Sequence, residues 1–163
     1  MNPDELSALW APWRVEYYSA KREPDFLLAA ANATDDRAHL VVARKPHTFL
    51  MMNRYPYAVG HLMAVPNRKL ADIAEMTETE QIELWSLAAL GQRLLRKVVR
   101  AQGFNVGLNL GRCAGAGVAD HLHLHIVPRW EGDHNFMPAL TGTRVLTEAL
   151  DALYEKLCAS VER

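Results

Sequence analysis

Between Asp120 and Trp130 the chain reads DHLHLHIVPRW, with His121, His123 and His125 at every second position and Leu122, Leu124 and Ile126 among them. A period of two belongs to a β-strand, whose successive side chains point to opposite faces. A helix would scatter the three rings around its circumference. A strand gathers them on one face and turns the apolar residues toward a core. The pattern therefore predicts a sheet with one buried face and one face that carries imidazoles. Three histidines in strict alternation beside a glycine-rich stretch mark a functional site.

The 163 residues are half hydrophobic, enough for the core of a single domain. Eighteen Lys and Arg against nineteen Asp and Glu leave a formal charge of −1, which lacks the basic footprint of a nucleic-acid-binding protein. The densest basic cluster, Arg93, Arg96, Lys97 and Arg100, reads as a solvated helix face. Cys113 and Cys158, the only two cysteines, form no CxxC pair and imply no disulfide framework. With no signal-peptide pattern and no apolar run of about 18 residues, the expected setting is the cytoplasm, away from membranes.

Residues 1–36 are expected to form an irregular arm, broken by Pro12 and Pro24, whose Trp10, Trp13, Tyr17 and Tyr18 pack on the domain or on a partner subunit. Residues 37–163 are expected to form a single catalytic domain. Strand-like runs follow at 39–44, 48–53 and 61–66, reading as an antiparallel meander. A long helix is predicted over 78–102, opened by a Thr77–Glu80 capping box and stopped by Gly103. Ile82, Trp85 and Ala89, with Leu84, Leu87, Leu94 and Val98, are its expected apolar face. FNVGLNL at 104–110 predicts a fourth strand, GRCAGAG a loop, and the histidine run a fifth strand ending near Val127. A C-terminal amphipathic helix is expected from Leu146. The fold class is thus α+β: a five-stranded antiparallel sheet with one long and one C-terminal helix, the helices covering one face.

Along a strand, His121 and His123 lie about 6–7 Å apart and His121 and His125 about 13 Å. One zinc ion would take two of the three, with His61 as a distant third ligand, and this is the competing metal reading. The favoured reading starts from neutral imidazole, a nucleophile with a pKa near ~6.5 that attacks phosphorus without a separate base. Such a site needs a neighbour holding the other ring nitrogen, donors for phosphate charge, and a group near the leaving oxygen. The small residues of GAGVAD are expected to let the backbone N–H groups of Ala116 and Gly117 approach an anion closely.

HLHLHIV resembles the signature of the histidine triad (HIT) superfamily of nucleotidyl hydrolases and transferases. NRYPYAVGHLMAVP is similar to the family's upstream strand pair with its separate histidine, and NLGRCAGAGVADH to its phosphate loop. LWAPWR, VPRWEGDHNFMP and the terminal helix resemble a bacterial branch linked to dinucleoside polyphosphates. The resemblance implies that His123 is the nucleophile on the α-phosphorus. It implies that His121 and His61 form a hydrogen-bonded relay orienting His123, and that His125 binds phosphate near the leaving group. Asn53 matches a ribose-binding position and Asn109 a phosphate contact; ending a strand and satisfying loop backbone are their bland alternatives. His39, His47 and His134 match no role and read as surface residues. Trp130 and Phe136 suit base stacking or packing equally.

Gly117 and Val118 stand where many relatives carry glutamine and a hydroxyl residue. Their absence favours a nucleoside triphosphate leaving group over an amine that needs protonation. FLLAAAN contains no cysteine where some relatives build a structural zinc site, so that zinc is expected to be absent. No cofactor or protein-bound metal is expected, and a divalent ion accompanying the nucleotide is compatible with the site. The expected function is cleavage of dinucleoside polyphosphates such as diadenosine tetraphosphate, with water or inorganic phosphate as acceptor. The alternatives are a nucleoside 5'-phosphoramidase, a metal-dependent hydrolase, and a nucleotide-binding sensor or partner protein with incidental catalysis. The resemblance also implies a homodimer, or a tetramer built from dimers, with the long helix and a sheet edge at the interface.

Overall fold

The computed structural model describes residues 25–133 and 149–161. In chain order the elements are α1 (Phe26–Asn32), β1 (Val41–Arg44), β2 (Thr48–Met52), β3 (Leu62–Pro66), α2 (Glu78–Val99), β4 (Gly103–Leu108), β5 (Leu124–Arg129) and α3 (Leu150–Ser160). Short 3₁₀ turns occupy Ile73–Glu75 and Arg112–Ala114. The strands pair antiparallel in the order β1-β2-β3-β5-β4, so the predicted meander of β1, β2 and β3 receives β5 at its open edge and β4 outside that.

Alternation along the strands sends side chains into two separate clusters. Leu50, Met52, Leu62, Ala64, Leu124 and Ile126 meet Leu84, Leu87, Leu94 and Leu95 of α2 and Leu153 and Leu157 of α3. Each fully buried Leu or Ile of that layer contributes about 1.5–3 kcal/mol. Gly91 lets α2 sit close on the sheet: a Cβ there would stand 3.2 Å from Leu62 Cδ1. The opposite cluster joins Phe49, Met51, Met63 and Val65 to Leu27 and Ala30 of α1. Helices therefore cover both faces in part, against the expectation of one. The difference arises from FLLAAAN, which forms α1 in place of the expected irregular arm. Arg44 secures the end of that helix, donating to the Ala30 and Ala31 carbonyls at 2.7 and 3.0 Å, where unpaired carbonyls accumulate. The aromatic residues of the arm, with His134, Phe136 and Leu146, lie outside the described residues.

The predicted capping box is formed. Thr77 Oγ1 accepts the Glu80 N–H at 3.3 Å and the Glu80 carboxylate accepts the Thr77 N–H at 2.8 Å. Arg68 donates to the same carboxylate at 2.6 and 2.9 Å, and its guanidinium holds the Glu80 pKa down to about 2. The other end departs from expectation. Arg100, not Gly103, takes the left-handed conformation (φ 53°), and Gly103 opens β4. The indole N–H of Trp130 donates to the carbonyls of Val99 and Arg100 at 3.1 Å each, supplying the termination that glycine was expected to give. Ile82 and Trp85, assigned to the buried face, are 70% and 58% exposed, and Ala89 is exposed too. The helix instead seats on the stripe of Leu84, Leu87, Ala88, Gly91, Leu94 and Leu95.

Candidate active site

β5 begins only at Leu124, so of the three alternating histidines His125 alone lies in the ladder, opposite Met63 on β3 and Gly107 on β4. His121 and His123 precede it. Leu122 is tied down separately, its N–H donating to the Leu70 carbonyl at 2.7 Å. Because Leu124 and Ile126 are committed to the α2 layer, His125 is turned to the face of Met63 and Val65.

His61 reaches the same face from the start of β3. It follows Gly60, whose φ of +80° favours glycine and where an ideal Cβ would stand 2.7 Å from Leu95 Cδ2. The turn thus created places the ring where its Nδ1 accepts the Tyr57 backbone N–H at 3.1 Å and lies 3.3 Å from Asn53 Nδ2. A ring nitrogen that accepts from an amide N–H carries no proton. In the neutral ring the proton is therefore on Nε2, which lies 2.9 Å from His125 Nδ1. His125 Nδ1 is accordingly an acceptor, and its own proton sits on Nε2, which lies 3.5 Å from the Asn109 side-chain amide and bonds to it when that amide presents its oxygen. The tautomers run in one direction, from the Tyr57 backbone through His61 to His125.

His123 is held differently. Its Nδ1 lies 2.8 Å from the carbonyl oxygen of His121, and since a carbonyl only accepts, Nδ1 bears the hydrogen. Nε2 is left with a bare lone pair. The unpartnered buried side-chain polar atoms among the described residues are Asn67 Oδ1 and His121 Nδ1. His123 Nε2 has no hydrogen-bond partner among the described residues, and the residue as a whole is 9% exposed. The ring stands edge-on to His125, centroids 4.8 Å apart at 78°.

The expected relay of His121 and His61 is thus replaced by a bond between His61 and His125. His121 is fully buried, and its Nε2 donates to the Pro66 carbonyl at 2.9 Å rather than to another imidazole. It bears on His123 through its backbone oxygen. Burial depresses the pKa of His121, His123 and His125, the last to about 4 with a further push from His123, so the rings are neutral at neutral pH.

Asn53 Oδ1 accepts the Tyr55 N–H at 2.9 Å, which fixes the amide against His61. In the glycine-rich loop the Ala116 N–H, expected to face an anion, donates instead to the Gly111 carbonyl at 3.3 Å, because the 3₁₀ turn folds the loop back on itself. Gly117 is exposed at the loop surface. Val118 packs against the α1-facing cluster, which explains an apolar residue there. His47 is exposed and His39 half-buried, both away from these contacts. The Trp130 indole is engaged at the end of α2, a packing role. Among the described residues no three His, Cys, Asp or Glu side chains converge to hold a metal. Tyr57 was missed by sequence reasoning. Its ring lies 4.7 Å from His61 and 5.7 Å from His125, and the spacing of four residues to His61 was the available signal.

A five-stranded antiparallel sheet that gathers the imidazoles of His61, His123 and His125 on one face is the arrangement of a histidine triad protein. The chain belongs to the HIT domain family, whose model matches residues 35–132. It is 40% identical over 156 residues to the AP-4-A phosphorylase of Mycobacterium tuberculosis, covering 90% of this chain and 80% of that protein. It is 32% identical over 82 residues to the asymmetrical bis(5'-nucleosyl)-tetraphosphatase of Schizosaccharomyces pombe, covering 50% of this chain and 44% of that one. A zinc-bound histidine triad family protein from Mycobacterium smegmatis shares the fold with a TM-score of 0.64 at 19% identity, over 82% of this chain and 89% of that chain.

Proposed function

We propose that the protein cleaves dinucleoside polyphosphates such as diadenosine tetraphosphate at the α-phosphate, through a nucleotidyl-His123 intermediate. The observation that carries this reading is the 2.8 Å bond from His123 Nδ1 to the His121 carbonyl, which leaves Nε2 with its lone pair and no partner among the described residues. In the first step the Nε2 lone pair forms a bond to the α-phosphorus while the bond to the bridging oxygen breaks, its electron pair leaving with the nucleoside triphosphate. The positive charge gained by the imidazole is shared with the His121 carbonyl through Nδ1–H. The Nε2–H of His125 donates to the phosphate or to the departing oxygen, and His61 keeps that proton on the correct nitrogen. In the second step an acceptor oxygen takes the nucleotidyl group and restores the lone pair. Water yields AMP and inorganic phosphate yields ADP. The similarity to a protein named AP-4-A phosphorylase favours phosphate.

Asn53, beside His61, is assigned to the ribose, and Asn109, beside His125, to phosphate. The chemistry asks for neither a structural zinc nor another cofactor. The reading includes a homodimer, supported by the exposed Ile82 and Trp85 on α2, and a cytoplasmic setting; no helix among the described residues is long and apolar enough to cross a membrane.

The test is to quench the purified protein during turnover of diadenosine tetraphosphate, with and without phosphate, and to map modified peptides by mass spectrometry. An adenylyl group on His123, with ADP appearing only when phosphate is present, is the expected result. Turnover with no modified histidine, or full activity in His123→Ala, overturns it.

A further inference from the structure

A tetraphosphate chain brings several negative charges to a site whose histidines are neutral, so the cation that receives them must come from elsewhere. Most described cations near the sheet are committed. Arg44 pairs with Asp36, Arg68 with Glu80, Arg129 with Asp133, and Lys69 bridges Asp25 and Asp120. Arg54 donates to the Ala38 carbonyl on the β1 side of the sheet. Arg112 is the exception in the loop between β4 and β5: it is exposed and pairs with no carboxylate among the described residues. It opens the 3₁₀ turn Arg112–Ala114, three residues beyond Asn109, whose amide reaches His125.

The sheet order also gives the chain a path. His61 flanks His125 on the β3 side. On the β4 side the partner of His125 is Gly107, where a Cβ would meet no heavy atom within 4 Å. The face is therefore open at Gly107, on the strand that leads into the Arg112 loop.

We propose that Arg112 binds the outer phosphates of the leaving group and so selects a polyphosphate chain over a shorter ester. This rests on the reading of His123 as the nucleophile. A planar guanidinium with five donors suits this role, since it grips non-bridging phosphate oxygens two at a time. Nothing covalent is asked of it. Its bonds strengthen as the triphosphate gathers charge on departure, so its effect belongs to the first step and not to transfer from His123 to the acceptor.

The test compares kcat/KM for diadenosine tetraphosphate with kcat/KM for the p-nitrophenyl ester of AMP in the wild type, Arg112→Gln and Arg112→Lys. Arg112→Gln is expected to lower the ratio of the two by about tenfold, the size of one charge-assisted bond, with Arg112→Lys in between. ATP as a competing product is expected to lose affinity relative to AMP in the same order. A ratio within twofold of wild type in Arg112→Gln overturns the proposal while leaving the nucleophile reading intact. A wild type that cleaves neither substrate overturns both.

Discussion

His61 Nε2 and His125 Nδ1 stand 2.9 Å apart, joining residues sixty-four positions apart in the chain through a bond whose direction is set by the Tyr57 backbone amide. Removing the donor frees His125 to carry its proton on either nitrogen. His61→Phe is therefore expected to lower kcat by about tenfold or more with KM little changed, and His61→Gln, which keeps an N–H, to lose less. Steady-state kinetics of the two variants check this. Equal losses in both would show that the proton is not what matters.

The acid limb of activity follows from burial. The His123 pKa lies below its ordinary value of about 6.5 because the buried ring resists charge, so the proposed nucleophile takes up its proton at a lower pH than a free imidazole. The midpoint of the acid limb of kcat/KM is expected below pH 6.5. A profile already half lost at pH 6.5 contradicts this.

Stability has the same sign. His125 titrates at about 4 when folded and near ~6.5 when unfolded, so between these values the unfolded chain binds more protons. Folding stability is complete above about pH 6.5 and falls as the pH drops toward 4. The loss from this ring is of order 2–3 kcal/mol. Denaturant titrations at pH 7 and 4.5 measure it, and the drop is expected to shrink in His125→Asn.

Gly60→Ala forces a methyl to within 2.7 Å of Leu95 Cδ2 at a φ of +80°. The expected cost is about 1–3 kcal/mol, read as a lower Tm, with a fall in kcat because His61 is the next residue. A thermal melt and one activity assay suffice. A Tm equal to wild type would mean the turn relaxes freely.

Glu80→Ala removes a helix cap and the partner of Arg68 together. A loss of about 1–2 kcal/mol is expected, with kcat nearly unchanged since α2 lies across the sheet from the imidazoles. Chemical denaturation and turnover measured on the same preparation separate the two effects.

The strands, the long helix and its capping box were legible because each has a local signal: period two, period 3.6, and Thr77 placed three residues before Glu80. The end of α2 was not, because its termination comes from Trp130, thirty residues away, and not from a nearby glycine. Nor was α1, seven residues whose helicity is upheld by Arg44 from the neighbouring strand. In the site, the alternation of His121, His123 and His125 marked the place but not the partnerships. Sequence places His121 and His125 symmetrically about His123. Only the pairing of β3 with β5 shows that His61 meets His125 and that His121 is sealed against Pro66.

One alternating backbone serves both layers of this molecule. In Leu62–Pro66 and Leu124–Arg129 the residues that anchor the long helix and those that line the imidazole face differ only by parity. Inserting or deleting a single residue in either stretch would exchange the two sets, driving polar rings into the leucine layer and aliphatic side chains out toward the nucleotide. Change in these segments is thus restricted to replacement in place, while length variation is left to the loops.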